Sequence, residues 1–178
     1  LGLPVGVYAV ADGMGGHAAG DVASQLTIQA IQEAVESLRL EAEGKLPDAR
    51  VWLEQLVVAA NQAVYTQRRA ADSDMGCTLV LAVAIGGHMT IANIGDSRAY
   101  WLSADGPTQI TTDHSLVERL VAAGHITAKE AREHPRRNVI YRVVGDKPKA
   151  DFDLFEQVLA PGEALLLCSD GLSGMVPD

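Results

Sequence analysis

The chain begins with a short apolar segment in which alternate side chains share one face. Residues 3–11 follow this pattern and predict a buried strand, with four side chains on its covered face: Val5, Val7, Ala9 and Ala11. The run ends abruptly in a glycine-rich segment, residues 12–16. Glycine allows tight turns and close backbone contacts, so we expect a loop there.

Two helices are predicted next, with no strand between them. Asp21 offers an N-cap for the first, and apolar residues then recur at helical spacing: Ala23, Leu26, Ala30, Ala34 and Leu38. A polar link at 41–48 leads to a second helix, which turns another apolar set inward: Leu53, Leu56, Val57, Ala60 and Val64.

From Cys77 onward the pattern changes to short apolar runs separated by turn residues. Five runs predict strands: 77–85, 88–94, 98–102, 152–159 and 164–168. Glycine-containing pairs at 86–87 and 105–106 predict the turns of β-hairpins. The strands are therefore expected to form antiparallel sheets.

Two capping boxes lie between the third and fourth of these strands. Ser115 with Glu118, and Thr127 with Glu130, each predict the start of a short helix. Sequential hairpins combined with a helix pair predict an α+β fold, with antiparallel sheets in the core and helices covering the outside.

Composition narrows the class of protein further. The chain has 178 residues, 48% of them hydrophobic and 21% charged, which fits one folded domain and excludes disorder. The formal net charge of −9 argues against nucleic acid as a partner. The sequence has neither a run of about 18 apolar residues nor a basic leader, so we expect no membrane association and a cytoplasmic protein. Cys77 and Cys168 fit buried free thiols there, and we expect a monomer.

Three aspartates follow apolar runs directly, and they are the strongest candidates for chemistry. Asp12 and Asp170 each end a predicted strand and precede a glycine, and Asp96 follows the run 88–94. A carboxylate at the end of a buried strand is costly unless it is paired or binds a metal. A sandwich could gather the three at one end, as hard divalent cations require. The alternative is that each aspartate only caps a turn, which is favoured for Asp96 taken alone.

Other chemistries fail on spacing. The series Gly13-x-Gly15-x-x-Ala18 matches a relaxed dinucleotide fingerprint, but Asp12 would face the pyrophosphate and the next helix leads to another helix. Neither cysteine has an arginine six positions later, as a cysteine phosphatase needs, and no buried strand precedes Asp151-x-Asp153.

The histidines and Arg98 give weaker signals. His17 shares the glycine loop with Asp12 and is a candidate proton donor, with a solvated loop histidine as the alternative. The other histidines are expected to be solvated, namely His88, His114, His125 and His134. Arg98 is expected to pair with a carboxylate and receives no substrate role.

Four ordered segments carry a family resemblance: 10–17, 75–78, 93–98 and 168–171. Over nearly its whole length the chain resembles a bacterial metal-dependent protein phosphatase of the type 2C family. Residues 112–115 and the helices after them resemble the family's flap. The resemblance therefore implies one phosphatase-like domain, 1–178, that contains a flap subdomain at 113–145.

The resemblance also implies an architecture and an activity. The fold would be a four-layer α/β/β/α sandwich with two central antiparallel sheets. The activity would be hydrolysis of phosphoserine and phosphothreonine in proteins by a metal-activated water, without a phospho-enzyme. The partners would be phosphoproteins, in opposition to a serine/threonine kinase.

The resemblance assigns roles to four residues. Asp12 would bridge two Mn²⁺ or Mg²⁺ ions, the Gly13 carbonyl would bind one of them, and Asp170 would hold the other. Asp12 and Asp170 would thus be the catalytic pair. Asp96 and Asp170 together would form a third, weaker metal position near the flap.

The sequence also departs from the family pattern. It lacks the family's earlier segment with an arginine and an acidic metal ligand, and a later Asp-Asn pair, so we expect the chain to be incomplete at both ends. Met14 stands where many eukaryotic members carry a histidine. The alternative function is therefore a catalytically impaired regulatory or binding domain that keeps the fold.

Overall fold

The computed structural model describes residues 5–42 and 45–176 of the chain. Its strands are β1 (Val5–Val10), β2 (Gly13–Met14), β3 (Gly76–Cys77), β4 (Leu79–Ile85), β5 (His88–Ile94), β6 (Arg98–Ser103), β7 (Gly106–Gln109), β8 (Asp153–Val158) and β9 (Ala164–Cys168). Its helices are α1 (His17–Glu41), α2 (Ala49–Ala70), α3 (Leu116–Ala122), α4 (Ala128–Glu133) and α5 (Asp170–Ser173). Residues 3 and 4 of the first predicted strand lie outside the described residues.

Two antiparallel sheets form the centre of the molecule. The first has the order β1-β4-β5-β8 and the second the order β7-β6-β9, while β2 and β3 form a short separate pair. The predicted hairpins are present, because β4 pairs with β5 and β6 with β7. Strands β8 and β9 do not pair with each other, since β8 joins β5 and β9 joins β6. The turn between them therefore connects the two sheets.

The alternation of side chains along β4 separates two apolar cores. Leu79, Leu81 and Val83 pack against helices α1 and α2, together with the inward residues predicted for α2, all of them fully buried. Val80 and Ala82 face the second sheet. The α+β sandwich is thus confirmed, and the described residues contain three of its layers: the helix pair and the two sheets.

Helix α1 begins earlier than its apolar pattern predicts. The prediction of Asp21 as N-cap is wrong, because the helix starts at His17 and its N-cap is Gly16, with φ 78°. Gly20 obscured this start, since glycine is a poor helix former. Its packing explains its presence, because a Cβ atom on Gly20 would lie 2.8 Å from the carbonyl carbon of Gly13.

The two predicted capping boxes begin helices α3 and α4. The Ser115 side chain accepts a hydrogen bond from the Glu118 amide, and Thr127 and Glu130 cap each other reciprocally. The hydrogen bonds from Thr127 also hold the pKa of Glu130 below its usual value. These two short helices lie in the predicted flap, residues 113–145.

We expect Thr127→Ala to loosen α4 selectively. Loss of an N-cap costs typically about 1 kcal/mol, and a helix of six residues has little other local support. Hydrogen exchange of the α4 amides should accelerate about fivefold, as that free energy predicts, while β4 stays protected. Thr108→Ala, at an exposed threonine of β7, is the matched control. Unchanged exchange in α4 would contradict the prediction.

No helix in the described part of the chain combines the length and the apolar character that a membrane crossing requires.

Candidate metal centre

Asp12 follows β1 and is held at that position by Thr78. The Thr78 amide donates to the Asp12 carbonyl at 2.8 Å, and the Asp12 amide donates to Thr78 Oγ1 at 3.2 Å. Thr78 Oγ1 also lies 2.6 Å from Ser97 Oγ, one residue after Asp96. One buried threonine therefore ties together the two segments that carry Asp12 and Asp96.

Gly13 lies in a backbone-packed position next to Asp12. It pairs with Cys77 in the β2–β3 ladder, and a Cβ atom at this position would lie 2.1 Å from the Gly20 carbonyl oxygen. Only glycine fits between this strand and the first turn of α1.

Asp170 reaches Asp12 from the other sheet. It is the first residue of α5, directly after β9 and Ser169. Partial withdrawal from water and a hydrogen-bond contact with the Asp12 side chain raise the pKa of Asp170. The sequence-predicted pair is thus brought into contact, although its two members lie near opposite ends of the chain.

Asp96 lies between β5 and β6 and faces the same pair. Burial raises the pKa of Asp96 to about 6, and the charges of Asp170 and Asp113 act in the same direction. A smaller contribution comes from Asp12. Like-charged carboxylates with raised pKa values favour a cation or a proton nearby.

These donors fit a hard divalent ion better than a soft one. They are carboxylate oxygens, with the carbonyl of the adjacent Gly13, and this set of donors includes neither sulfur nor imidazole. Within residues 5–42 and 45–176, no three His, Cys, Asp or Glu side chains meet closely enough to enclose one ion. Hard divalent ions in proteins are often held by one or two carboxylates, with waters as the remaining ligands.

Arg98 pairs with Asp113, so the expectation that it would bind a carboxylate is confirmed. Its Nε lies 2.9 and 3.1 Å from the two Asp113 carboxylate oxygens, and its Nη2 lies 2.8 Å from Oδ2. Asp113 itself is buried and was not among the residues that the sequence singled out. This pair anchors the segment before α3 to β6.

His114 was expected to be solvated, and that expectation is wrong. Its side chain is only 2% exposed, and its Nε2 lies 3.1 Å from Asp153 Oδ2. Arg142 forms ion pairs with both Asp151 and Asp153, so the Asp151-x-Asp153 motif has a structural role. A signal was present in the sequence, because His114 stands beside a capping serine in a motif of the resemblance.

Among the side chains that the structure describes, no other histidine forms a hydrogen bond or an ion pair with Asp12, Asp96 or Asp170. His88 and His125 are exposed, as expected, and His134 is half-buried. His17 is the first residue of α1, and its side chain lies outside the described part of the structure.

A cavity of about 650 Å³ extends from Asp96 and Asp170 to helices α3 and α4. Its lining includes three acidic residues, Asp96, Asp113 and Asp170, and three basic ones, Lys129, Arg132 and Arg137. The cavity is large enough for a phosphorylated side chain and its neighbours.

We expect Thr78→Val to weaken the site without removing a charge. The variant keeps the shape of the side chain but loses the acceptor for the Asp12 amide, which costs about 1–3 kcal/mol of stability when buried. Chemical denaturation should show that loss. A control at an exposed position of similar chemistry is Thr66→Val on α2. A Thr78→Val protein as stable as the unmodified chain would contradict this role.

Comparisons with known proteins agree on one family. The family model described as Protein phosphatase 2C matches residues 4–178. The serine/threonine phosphatase stp of Listeria innocua is 39% identical over 176 residues, covering 97% of this chain and 68% of that protein. The serine/threonine phosphatase Stp1 from Staphylococcus aureus superposes with a TM-score of 0.85 at 38% identity, covering 97% of this chain and 67% of that one.

A third comparison bears on the metal. The catalytic domain of the serine/threonine protein phosphatase PstP, in complex with two manganese ions, superposes with a TM-score of 0.81 at 37% identity. The match covers 98% of this chain and 74% of that one.

Proposed function

We propose that Asp12, Gly13, Asp96 and Asp170 form the metal centre of this chain. The chain belongs to the protein phosphatase 2C family and is a metal-dependent serine/threonine protein phosphatase. The observation that carries the proposal is the convergence of three strand ends: Thr78 ties the segments of Asp12 and Asp96 together, and the Asp170 side chain lies within hydrogen-bond reach of Asp12. The two carboxylates follow strands of separate sheets, and one of them, Asp170, also lines the cavity.

Each residue of the centre has a proposed role. Asp12 would bridge two ions, with the Gly13 carbonyl on one and Asp170 on the other, and Asp96 would join Asp170 at a third position. Bound divalent ions supply positive charge for the phosphoryl oxygens and make a nucleophile of water at neutral pH. The chain's own contribution is to hold the donors in place, which Thr78 does for the main chain of Asp12.

The cysteines support hydrolysis without a cysteinyl-phosphate intermediate. Both are buried free thiols, as expected from the sequence. Burial raises the pKa of Cys77 to about 11, so it remains a thiol at neutral pH and is a poor nucleophile. We therefore propose that a water molecule, and not a cysteine thiolate, attacks the phosphorus atom.

The finer features of the function are also proposals. Mn²⁺ is the ion we favour, because the similar PstP domain was solved with two manganese ions. We further propose phosphoprotein substrates made by a serine/threonine kinase, a monomeric state, a cytoplasmic location and a flap subdomain at 113–145 that influences substrate choice. The names of the similar proteins favour this enzyme over a regulatory domain that keeps only the fold.

The test is phosphate release from a phosphothreonine peptide by the full-length protein. Release should require Mn²⁺ or Mg²⁺, stop on addition of a chelator and recover when Mn²⁺ is restored. A phosphotyrosine peptide of the same sequence is the control for substrate class. Release that continues in the chelator would contradict the metal centre, and no release with any divalent ion would support the regulatory domain.

A further inference from the structure

We propose that His114 is a positioning residue for Asp96, because its imidazole ring holds the peptide group of Gly95 and with it the main chain that carries the Asp96 carboxylate. The inference rests on the metal role proposed for Asp96. It assigns a function to a buried side chain that the metal centre itself does not use.

Gly95 is held at both of its polar groups by the same residue. Its amide donates to His114 Nδ1 at 3.1 Å, and its carbonyl accepts from the His114 amide at 2.9 Å. Gly95 has φ +98°, and a Cβ atom there would lie 2.7 Å from Thr78 Cγ2. Asn93 Nδ2 also donates to the Gly95 carbonyl, at 3.3 Å. The Gly95 amide, in contrast, has the His114 ring as its acceptor, so the direction of the main chain entering Asp96 depends in part on that ring.

The ring of His114 is itself held from the opposite side. Its Nε2 lies 3.1 Å from Asp153 Oδ2 at the start of β8, and Arg142 Nη1 lies 2.6 Å from the other oxygen, Oδ1. The side chain is 2% exposed, so water does not compete for these contacts. The chain of contacts therefore runs from the first sheet through the imidazole to the residue before Asp96.

The contacts select one tautomer. Gly95 is an obligatory donor, so Nδ1 must carry the lone pair and the proton must be on Nε2, where it donates to Asp153. Arg142 Nη1, which can only donate, lies 2.7 Å from Nε2 and by itself would favour a lone pair there. The Nε2–H form keeps the hydrogen bonds with Gly95 and Asp153 and loses the one from Arg142, which also donates to Asp153. The Nδ1–H form keeps only the hydrogen bond from Arg142, so the three contacts together favour the proton on Nε2.

Two substitutions separate this role from simple filling of the core. In His114→Asn the amide oxygen can take the place of Nδ1 and accept from Gly95, while the contact with Asp153 is lost. In His114→Gln the amide can reach towards Asp153, while Gly95 loses its acceptor. Each variant loses one hydrogen bond, so a merely structural residue predicts similar behaviour for both. His88→Gln, at the exposed opposite end of β5, is the control.

The experiment uses the full-length protein, with Asp96→Asn as reference. Amide exchange of Gly95 should stay within about threefold of the unmodified protein in His114→Asn and accelerate at least about tenfold in His114→Gln. The Mn²⁺ concentration for half-maximal phosphatase activity should rise about tenfold in His114→Gln and in Asp96→Asn, and little in His114→Asn. Nitrogen-15 spectroscopy of the unmodified protein should show the proton on Nε2.

The outcomes distinguish this inference from the proposed function. An impaired Asp96→Asn with an unaltered His114→Gln overturns the role of His114 alone. An Asp96→Asn protein with an unchanged metal requirement overturns the assignment of Asp96, and the inference with it. If neither histidine variant folds, the tautomer decides, because a proton on Nδ1 excludes acceptance from Gly95 and overturns the inference.

Discussion

Asp12→Asn is expected to reduce Mn²⁺-dependent phosphate release from a phosphothreonine peptide by at least about 100-fold. Loss of a residue that only supports a metal ligand costs about 10- to 100-fold, and Asp12 is proposed to touch two ions directly. Asparagine keeps the shape of the aspartate side chain. The substitution also leaves the hydrogen bonds with Thr78 in place, because they use the backbone amide and carbonyl of residue 12. The effect should therefore come from the lost charge, and the measurement is kcat/KM at saturating Mn²⁺.

The chain contains a matched control for this substitution. Asp105 also precedes a glycine, but it lies at the exposed turn between β6 and β7, where Ser103 pairs with Gly106. Asp105→Asn should leave kcat/KM unchanged. An Asp12→Asn protein that keeps more than a tenth of the activity would show that Asp12 does not bridge the ions.

In the presence of a chelator, the free energy of unfolding is expected to fall as the pH rises from about 4 to 7. Burial and the charges of Asp170 and Asp113 raise the pKa of Asp96 to about 6 in the folded protein, against about 3.9 in an unfolded chain. A raised carboxyl pKa means that the folded state binds the proton more tightly. Its stabilising contribution is complete below pH 4 and is lost as the pH passes through 6. The loss from Asp96 is at most about 3 kcal/mol.

Comparison with Asp96→Asn isolates this contribution from the other titrating groups. The variant should be more stable than the unmodified protein at pH 7.5 in chelator, and the two should converge near pH 4. Saturating Mn²⁺ should restore the stability of the unmodified protein at pH 7.5, because an ion that binds only the folded state stabilises it. Urea unfolding at several pH values is the measurement. Parallel curves for the two proteins would contradict the burial of Asp96 among like charges.

The local elements of the fold were predictable because neighbouring residues determine them. The inward face of α2, the hairpin turns at 86–87 and 105–106, and the two capping boxes all follow from spacing within a few positions. The start of α1 was not predictable in this way. Gly20 belongs to the helix because it packs against Gly13, and a contact between a strand and a helix leaves no periodic pattern.

The residues of the candidate site also differ in whether the sequence identifies them. Asp12, Asp96 and Asp170 were identifiable because each is a carboxylate directly after an apolar run. His114 belongs to a motif of the resemblance, but its burial was not predictable, because that burial depends on Gly95 and Asp153, which lie far from it in sequence. The same holds for Asp113, whose partner Arg98 could be expected to bind a carboxylate without any indication of which one.

By itself, the sequence determined which segments form strands and helices, which faces are apolar, and which aspartates stand at strand ends. The tertiary structure alone decided that β8 and β9 belong to different sheets and that Asp170 meets Asp12. The physical reason is the separation in sequence between the residues that interact. Periodicity and capping are set by interactions between residues a few positions apart, whereas the meeting of carboxylates depends on how two sheets pack, and that packing involves the whole apolar core at once.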